Sequence, residues 1–439
     1  MVALLGPILA QLVTLGLADR TEAREIVGID TYAEAATRPF VSLSFDWKYT
    51  HLAVSYSPSL TLTPLGSDSR RLLLFHVASV GASHQLGRTL LFANGSFGYG
   101  DQNFQELALA GTGLPSAPPA PGAGATPTTG VTPAGNAAPA PVALGTVLGG
   151  PTTTLPNSTP TSTQVRALNR VVRFESIAAT VGASHTASRH LVYGGDTGYT
   201  VVGAVDSAER GQYPLVRGPR GSVFLRYGWG HRDTITSSLS LQYAEASGVN
   251  GTTPGNAVAT TGSSAWLGLF NESWTHRFDL HTTGQLGAGV GASRTPVPND
   301  GTVVAYSIYP TVGASITETT LLCRGTLAAS LNVSSAPALD LITLAVDPRL
   351  SIGATTGWAR DRFFSALAGA TALSVASSQN ANSLQSVTGS ATAGYVLGRA
   401  VSVDAGVRGA WQTFGGTTSI PFSYAGFVGV TIGAQVPLR

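Results

Sequence analysis

The chain has 439 residues, of which only 11% are charged, and its formal net charge is +2; soluble globular proteins carry roughly 25% charged residues. The basic residues are scattered without a run, which argues against nucleic-acid binding, and the single cysteine, Cys323, excludes an internal disulfide or a Cys-rich metal site. No apolar run approaches the roughly 20 residues of a membrane-spanning helix, so too little charge for water points instead to strands whose hydrophobicity is hidden by alternation.

In chain order, residues 2–17 form an apolar stretch, and Gly16 and Ala18 make a small-x-small pair before Asp19 and Arg20. Residues 1–18 are therefore a candidate signal peptide cut after Ala18, the alternative being an amphipathic helix kept in the mature chain. No Lys or Arg precedes the stretch. Residues 19–38 are an N-terminal segment in which EIVGIDTYAE, at 25–34, is the candidate first strand.

From residue 39 to 439 a period of two governs the chain. In 39–48, Val41, Leu43, Phe45 and Trp47 alternate with Ser42, Ser44, Asp46 and Lys48. In 51–63, Leu52, Val54, Tyr56, Leu60 and Leu62 share one face, while His51, Ser55, Ser57, Ser59 and Thr61 share the other. Successive side chains on a strand point to opposite faces, so each segment is apolar on one side and polar on the other. The same pattern predicts strands near 72–84, 89–100, 171–184, 190–203, 221–229, 234–245, 264–274, 277–290, 303–315, 319–332, 342–356, 361–373, 386–396, 400–413 and 424–436. Short turns alternate with long loops, as in membrane barrels whose short turns are periplasmic and long loops extracellular. With one strand added before residue 39 the count is 18; 16 is the alternative.

The stretch 113–163 is rich in Pro, Ala, Gly and Thr. It cannot bury enough apolar surface to offset its ordering entropy, so the extracellular loop at about 101–170 is expected to be disordered. Aromatic residues near strand ends (Trp47, Tyr49, Tyr227, Trp229, Trp274, Trp358 and Trp411) fit interfacial girdles. In lipid every backbone polar group must pair internally, so such a sheet has to close.

The two G-A-S-H sequences place Ser83 beside His84 and Ser184 beside His185, but adjacent strand residues diverge, so neither pair reads as a nucleophile and its base. The eight histidines show no metal-ligand spacing, and nothing calls for a cofactor. The charges predicted on the lumen face are Asp46, Lys48, Arg226, Asp279, Arg324, Asp347, Arg349, Asp404 and Arg408. Two readings fit them: a polar pore of mixed charge, or cross-strand pairs that brace the wall.

The plan of residues 25–439 resembles bacterial outer-membrane β-barrel proteins. That resemblance implies an all-β, transmembrane, antiparallel up-and-down barrel of 16–18 strands in the bacterial outer membrane. Its partners would be the lipid bilayer and, during biogenesis, the barrel-assembly machinery. The expected function is a passive or weakly selective channel for small solutes rather than an enzyme; the alternative is a non-conducting structural or surface-display barrel. Barrels of this kind often end in an aromatic residue, whereas this sequence ends Val436-Pro437-Leu438-Arg439.

Overall fold

The computed structural model describes residues 11–26, 30–62, 72–103, 171–210, 215–247, 264–297, 300–339, 346–374, 384–398, 401–414 and 418–438. They form eighteen strands in one sheet: β1 (Gln11–Ile26), β2 (Asp30–Trp47), β3 (Thr50–Leu62), β4 (Leu72–Leu86), β5 (Thr89–Asn103), β6 (Val171–Thr186), β7 (Leu191–Ala204), β8 (Leu215–Trp229), β9 (Asp233–Ser247), β10 (Ser264–Arg277), β11 (Thr282–Val297), β12 (Asp300–Leu322), β13 (Gly325–Leu339), β14 (Val346–Arg360), β15 (Phe363–Ser374), β16 (Leu384–Val396), β17 (Val401–Phe414) and β18 (Thr418–Leu438). Each strand pairs antiparallel with its sequence neighbours, and β1 pairs with both β2 and β18. The sheet is therefore a closed barrel without a terminal edge, the form that lets β-structure cross a bilayer.

All seventeen strands expected from residue 39 onward are present, and the count is 18. The added strand is not at 25–34: Asp30 already belongs to β2, and β1 occupies Gln11–Ile26. The same strand takes in part of the candidate signal peptide. Gln11–Ala18 form the first half of β1 and pair with β2 and with β18. The sequence LVTLGLA reads equally as an apolar export segment and as a strand, and in this structure it lies in the ladder. The expected 101–170 loop falls mostly outside the described residues; Asp101–Asn103 end β5.

The outer face is apolar. On β3 Val54, Tyr56, Leu60 and Leu62 are exposed, on β8 Val223, Leu225, Tyr227 and Trp229, and on β9 Leu239, Leu241 and Tyr243. No water-facing surface presents so continuous an apolar band. Near the periplasmic turns it ends in Trp47, Tyr227, Trp229 and Trp274, all on the same outer face. At the opposite end, outward charges mark its limit: Asp101 lies 3.5 Å from Arg173, and Arg217 lies 3.9 Å from Glu245. The chain is a transmembrane outer-membrane barrel whose outer surface contacts lipid.

The tight turns show why the strands reverse where they do. Lys48 and Tyr49 join β2 to β3, and Gly87 (φ 59°) lies between β4 and β5. Cys323 and Arg324, with φ of 52° and 65°, join β12 to β13, the two left-handed residues that a type I′ hairpin requires.

Candidate functional site

The inner face is the other half of each alternation. It carries Ser42 and Ser44 on β2, Ser55 and Ser57 on β3, and Thr236, Ser238, Ser240 and Gln242 on β9. Hydroxyls pair across it: Ser55 with Ser79 at 2.6 Å, Ser330 with Thr355 at 2.6 Å and Ser334 with Ser351 at 2.7 Å. Such a wall offers many weak, reorientable donors and acceptors and little fixed charge.

Four of the predicted lumen charges occupy it. Asp46 accepts a hydrogen bond from His51 Nδ1 (2.5 Å) near the periplasmic mouth. Arg226 lies on the inner face of β8, two residues from Phe224, and Asp404 and Arg408 lie on the inner face of β17. Register puts Asp347 and Arg349 on the inward-facing row of β14 with Ser351; their side chains lie outside the described residues.

Three of the predicted charges lie in turns. Lys48 sits in the β2–β3 turn, its Nζ 4.9 Å from the Tyr49 ring centroid. Arg324 sits in the β12–β13 turn. Asp279 lies in the turn between β10 and β11, where its carboxylate accepts from the backbone N–H of His281 and Thr282. Those two backbone bonds, His281 first, hold its pKa below the ordinary carboxylate value. In each case the alternation runs smoothly into the turn, so parity alone assigns a lumen face to a residue that has left the wall.

Other inward charges were not anticipated. Arg38 donates from Nε to Ser59 Oγ (3.2 Å) beside the interruption of the β2–β3 ladder that contains Pro39 and Pro58. Arg220 donates from Nη2 to Thr180 Oγ1 (2.8 Å), and Asp196 accepts from Ser222. Arg220 is the one the pattern could have revealed, because the alternation of β8 continues six residues ahead of the expected strand start.

The extracellular half of the lumen is not open on all sides. Among the described residues, the β12–β13 ladder ends at Val312–Ser335, although β12 continues outward to Asp300 and β13 to Leu339. Above that rung the β13–β14 hairpin turns inward. Val346, 5% exposed, packs with Val216 of β8, Ala244 and Ala246 of β9, and Ala265 and Leu267 of β10. The Tyr309 hydroxyl of β12 donates to the Val346 carbonyl (3.0 Å). A methyl group at Gly291 of β11 would come within 2.7 Å of Pro337, so glycine is what lets the hairpin lie against that wall. Pro310 brings no N–H to the stretch of β12 left beside the gap, where a lone donor would be costly.

Residues 133–435, well over half of the chain, match the protein family described as the EpsX exopolysaccharide export family. The chain belongs to that family. No curated protein matches the sequence. Among solved structures, this EpsX-family barrel is similar to Acinetobacter baumannii OccAB3, with 9% identity and a TM-score of 0.45 over 97% of this chain and 99% of that one. It is similar to Pseudomonas aeruginosa OpdK with vanillate, with 10% identity and a TM-score of 0.47 over 97% and 99%. It is also similar to the FrpB iron transporter from Neisseria meningitidis, with 8% identity and a TM-score of 0.47 over 91% and 62%.

In this EpsX-family barrel the two G-A-S-H histidines lie on the outer face near the periplasmic rim. His84 shares a hydrogen bond with Thr50 (2.7 Å) and His185 with Thr89 (2.9 Å). Glu272, in the outward row between Phe270 and Trp274 of β10, is exposed on the lipid side opposite Ser237 and Ala288. Among the described residues no group of three or more His, Cys, Asp or Glu is placed to hold a metal ion.

Proposed function

We infer that this chain is the outer-membrane conduit of an exopolysaccharide export system, and that the polymer passes through the barrel's polar lumen. The family match over 133–435 carries this reading. The geometry supports it: a barrel of 18 strands is in the size range that leaves an aqueous interior, and its hydroxyl-rich wall suits a hydrated, hydroxyl-rich polymer. The mixed inward charge, with Arg38, Arg220, Arg226 and Arg408 beside Asp46, Asp196 and Asp404, gives weak rather than sharp selection. Assembly would use the barrel-assembly machinery of a Gram-negative outer membrane.

The second reading is a passive channel for small solutes, favoured by the low density of fixed charge on the inner wall. A non-conducting surface-display barrel, presenting the Pro/Ala/Thr-rich segment outside the cell, is the third. Deleting the gene and complementing it separates them. The export reading predicts loss of cell-surface polysaccharide and its return on complementation. Undiminished surface polysaccharide with altered small-solute uptake would overturn it in favour of the second reading.

A further inference from the structure

Six phenylalanines on the inner face each cover a glycine of a neighbouring strand. Phe40 lies over Gly16, Phe92 over Gly182, Phe224 over Gly194, Phe364 over Gly394 and Phe427 over Gly406, and all five pairs are direct partners across the ladder. Phe75 reaches Gly98 diagonally. The far edges of the rings make the approach: ring atoms of Phe224 and Phe427 stand 2.9 and 2.6 Å from where a Cβ would be at Gly194 and Gly406. A side chain standing straight out from a strand would not reach its partner's Cβ position. These rings therefore lie along the wall, and only glycine beneath leaves room for them.

Covering a strand glycine with an aromatic ring is a known way to stabilise a sheet. It also has a consequence for the lumen. A ring leaning over glycine is free to turn a face to the lumen. Phe427 is 8% exposed and is filler, but Phe40, Phe75, Phe92, Phe224 and Phe364 are only half-buried. They extend from the periplasmic end, where Phe92 and Phe364 follow their turns closely, to the extracellular part of β4, where Phe75 lies. The inward hairpin packs on the extracellular parts of β8 to β11. Four of the five rings are on β2, β4, β5 and β15, which face the remaining passage, and Phe224 is nearer the periplasmic end of β8 than Val216.

We propose that these five rings are stacking platforms for the sugar rings of the exported polymer. An aromatic face is flat, apolar and weakly negative, while the axial face of a pyranose is flat, lined with C–H groups and weakly positive. Stacking between them has no directional bond to break, so a chain can step from ring to ring while its hydroxyls exchange partners with the Ser and Thr wall. This rests on the export reading above.

Single-channel recording of the full chain in planar bilayers tests it, with a linear hexamer of α-1,4-linked glucose as probe and poly(ethylene glycol) of similar size as the non-stacking control. The sugar should block the current for longer than the control does. Phe224→Leu and Phe364→Leu keep an apolar cover on their glycines, and each should shorten the sugar blocks about fivefold. Phe224→Tyr and Phe364→Tyr should restore them, and the control's blocks should not change. Equal block times for sugar and poly(ethylene glycol) in a conducting wild-type channel would overturn the platforms and leave the export reading standing, a comparison that needs no variant. Sugar blocks indifferent to Leu substitution in folded channels would do the same. Silence from folded wild-type protein would remove the conduit and the platforms with it.

Discussion

In the turn between β10 and β11, the Asp279 carboxylate accepts from the amides of His281 (2.6 Å) and Thr282 (2.8 Å). A carboxylate whose pKa is depressed by such bonds stabilises the folded turn at neutral pH. That stabilisation fades only as pH falls below the ordinary carboxylate range towards the folded value. Protection of the His281 and Thr282 amides, their exchange relative to the intrinsic rate at each pH, should therefore persist through mild acid and be lost in stronger acid, whereas Asp279→Ala should remove it throughout. Loss of that protection already near neutral pH would contradict this. Glu272 is the opposite case, a carboxyl group facing lipid at a cost that depends on depth. Glu272→Leu should raise resistance to urea unfolding in lipid vesicles by about 1 kcal/mol, and a loss of stability would show that the carboxylate is matched by a partner. Asp46, Arg226, Asp404 and Arg408 were legible as inward residues because the strand that carries each runs past it. Lys48, Asp279 and Arg324 were not, because parity continues into a turn while the wall does not.

Among elements, the β13–β14 hairpin departs furthest from simple alternation. Its inward fold depends on Val346 among small apolar residues of β8 to β10, and burying a valine stabilises by about 1.5–3 kcal/mol. Val346→Asp would place an unpaired charge there, which costs more than that burial provides. The hairpin should then leave the wall and the single-channel conductance should rise, with the heat-modifiable mobility of the barrel retained; unchanged conductance would show that the hairpin does not narrow the passage. The sequence contained no sign of this fold beyond Pro310, Pro337 and Pro348, because Ser335–Leu339 falls in the expected connection between the strands at 319–332 and 342–356. The β12–β13 turn was misplaced for a related reason. Thr317–Glu318 is polar enough to suggest a turn, yet the strand runs on to Leu322, and the hairpin reverses where Cys323 and Arg324 accept left-handed backbone. β1 was missed because an apolar run near the start of a chain satisfies both a strand and an export segment, and its rungs to β2 and β18 are not legible in the sequence.

At the scale of the molecule, a period of two sets both surfaces at once. Odd or even parity, held along most of each strand, sends large apolar residues to lipid and hydroxyls to water, and closure through β1 satisfies the backbone. That much was legible because every strand repeats it. The flat inward phenylalanines were not, since each depends on a glycine of another strand. The short turns define one end of the barrel, and the exposed Cys323, the chain's single cysteine, marks it. In intact cells a membrane-impermeant maleimide should leave Cys323 unlabelled, and permeabilising the outer membrane should allow labelling. Labelling of intact cells would invert the orientation.

The current carried by purified, detergent-folded protein after insertion into a planar bilayer tests the water-filled barrel most directly. Stepwise, ohmic conductance increments that grow when the β13–β14 hairpin is released are the predicted result. Protein that stays in solution without detergent, or that inserts and carries no current, would contradict the account.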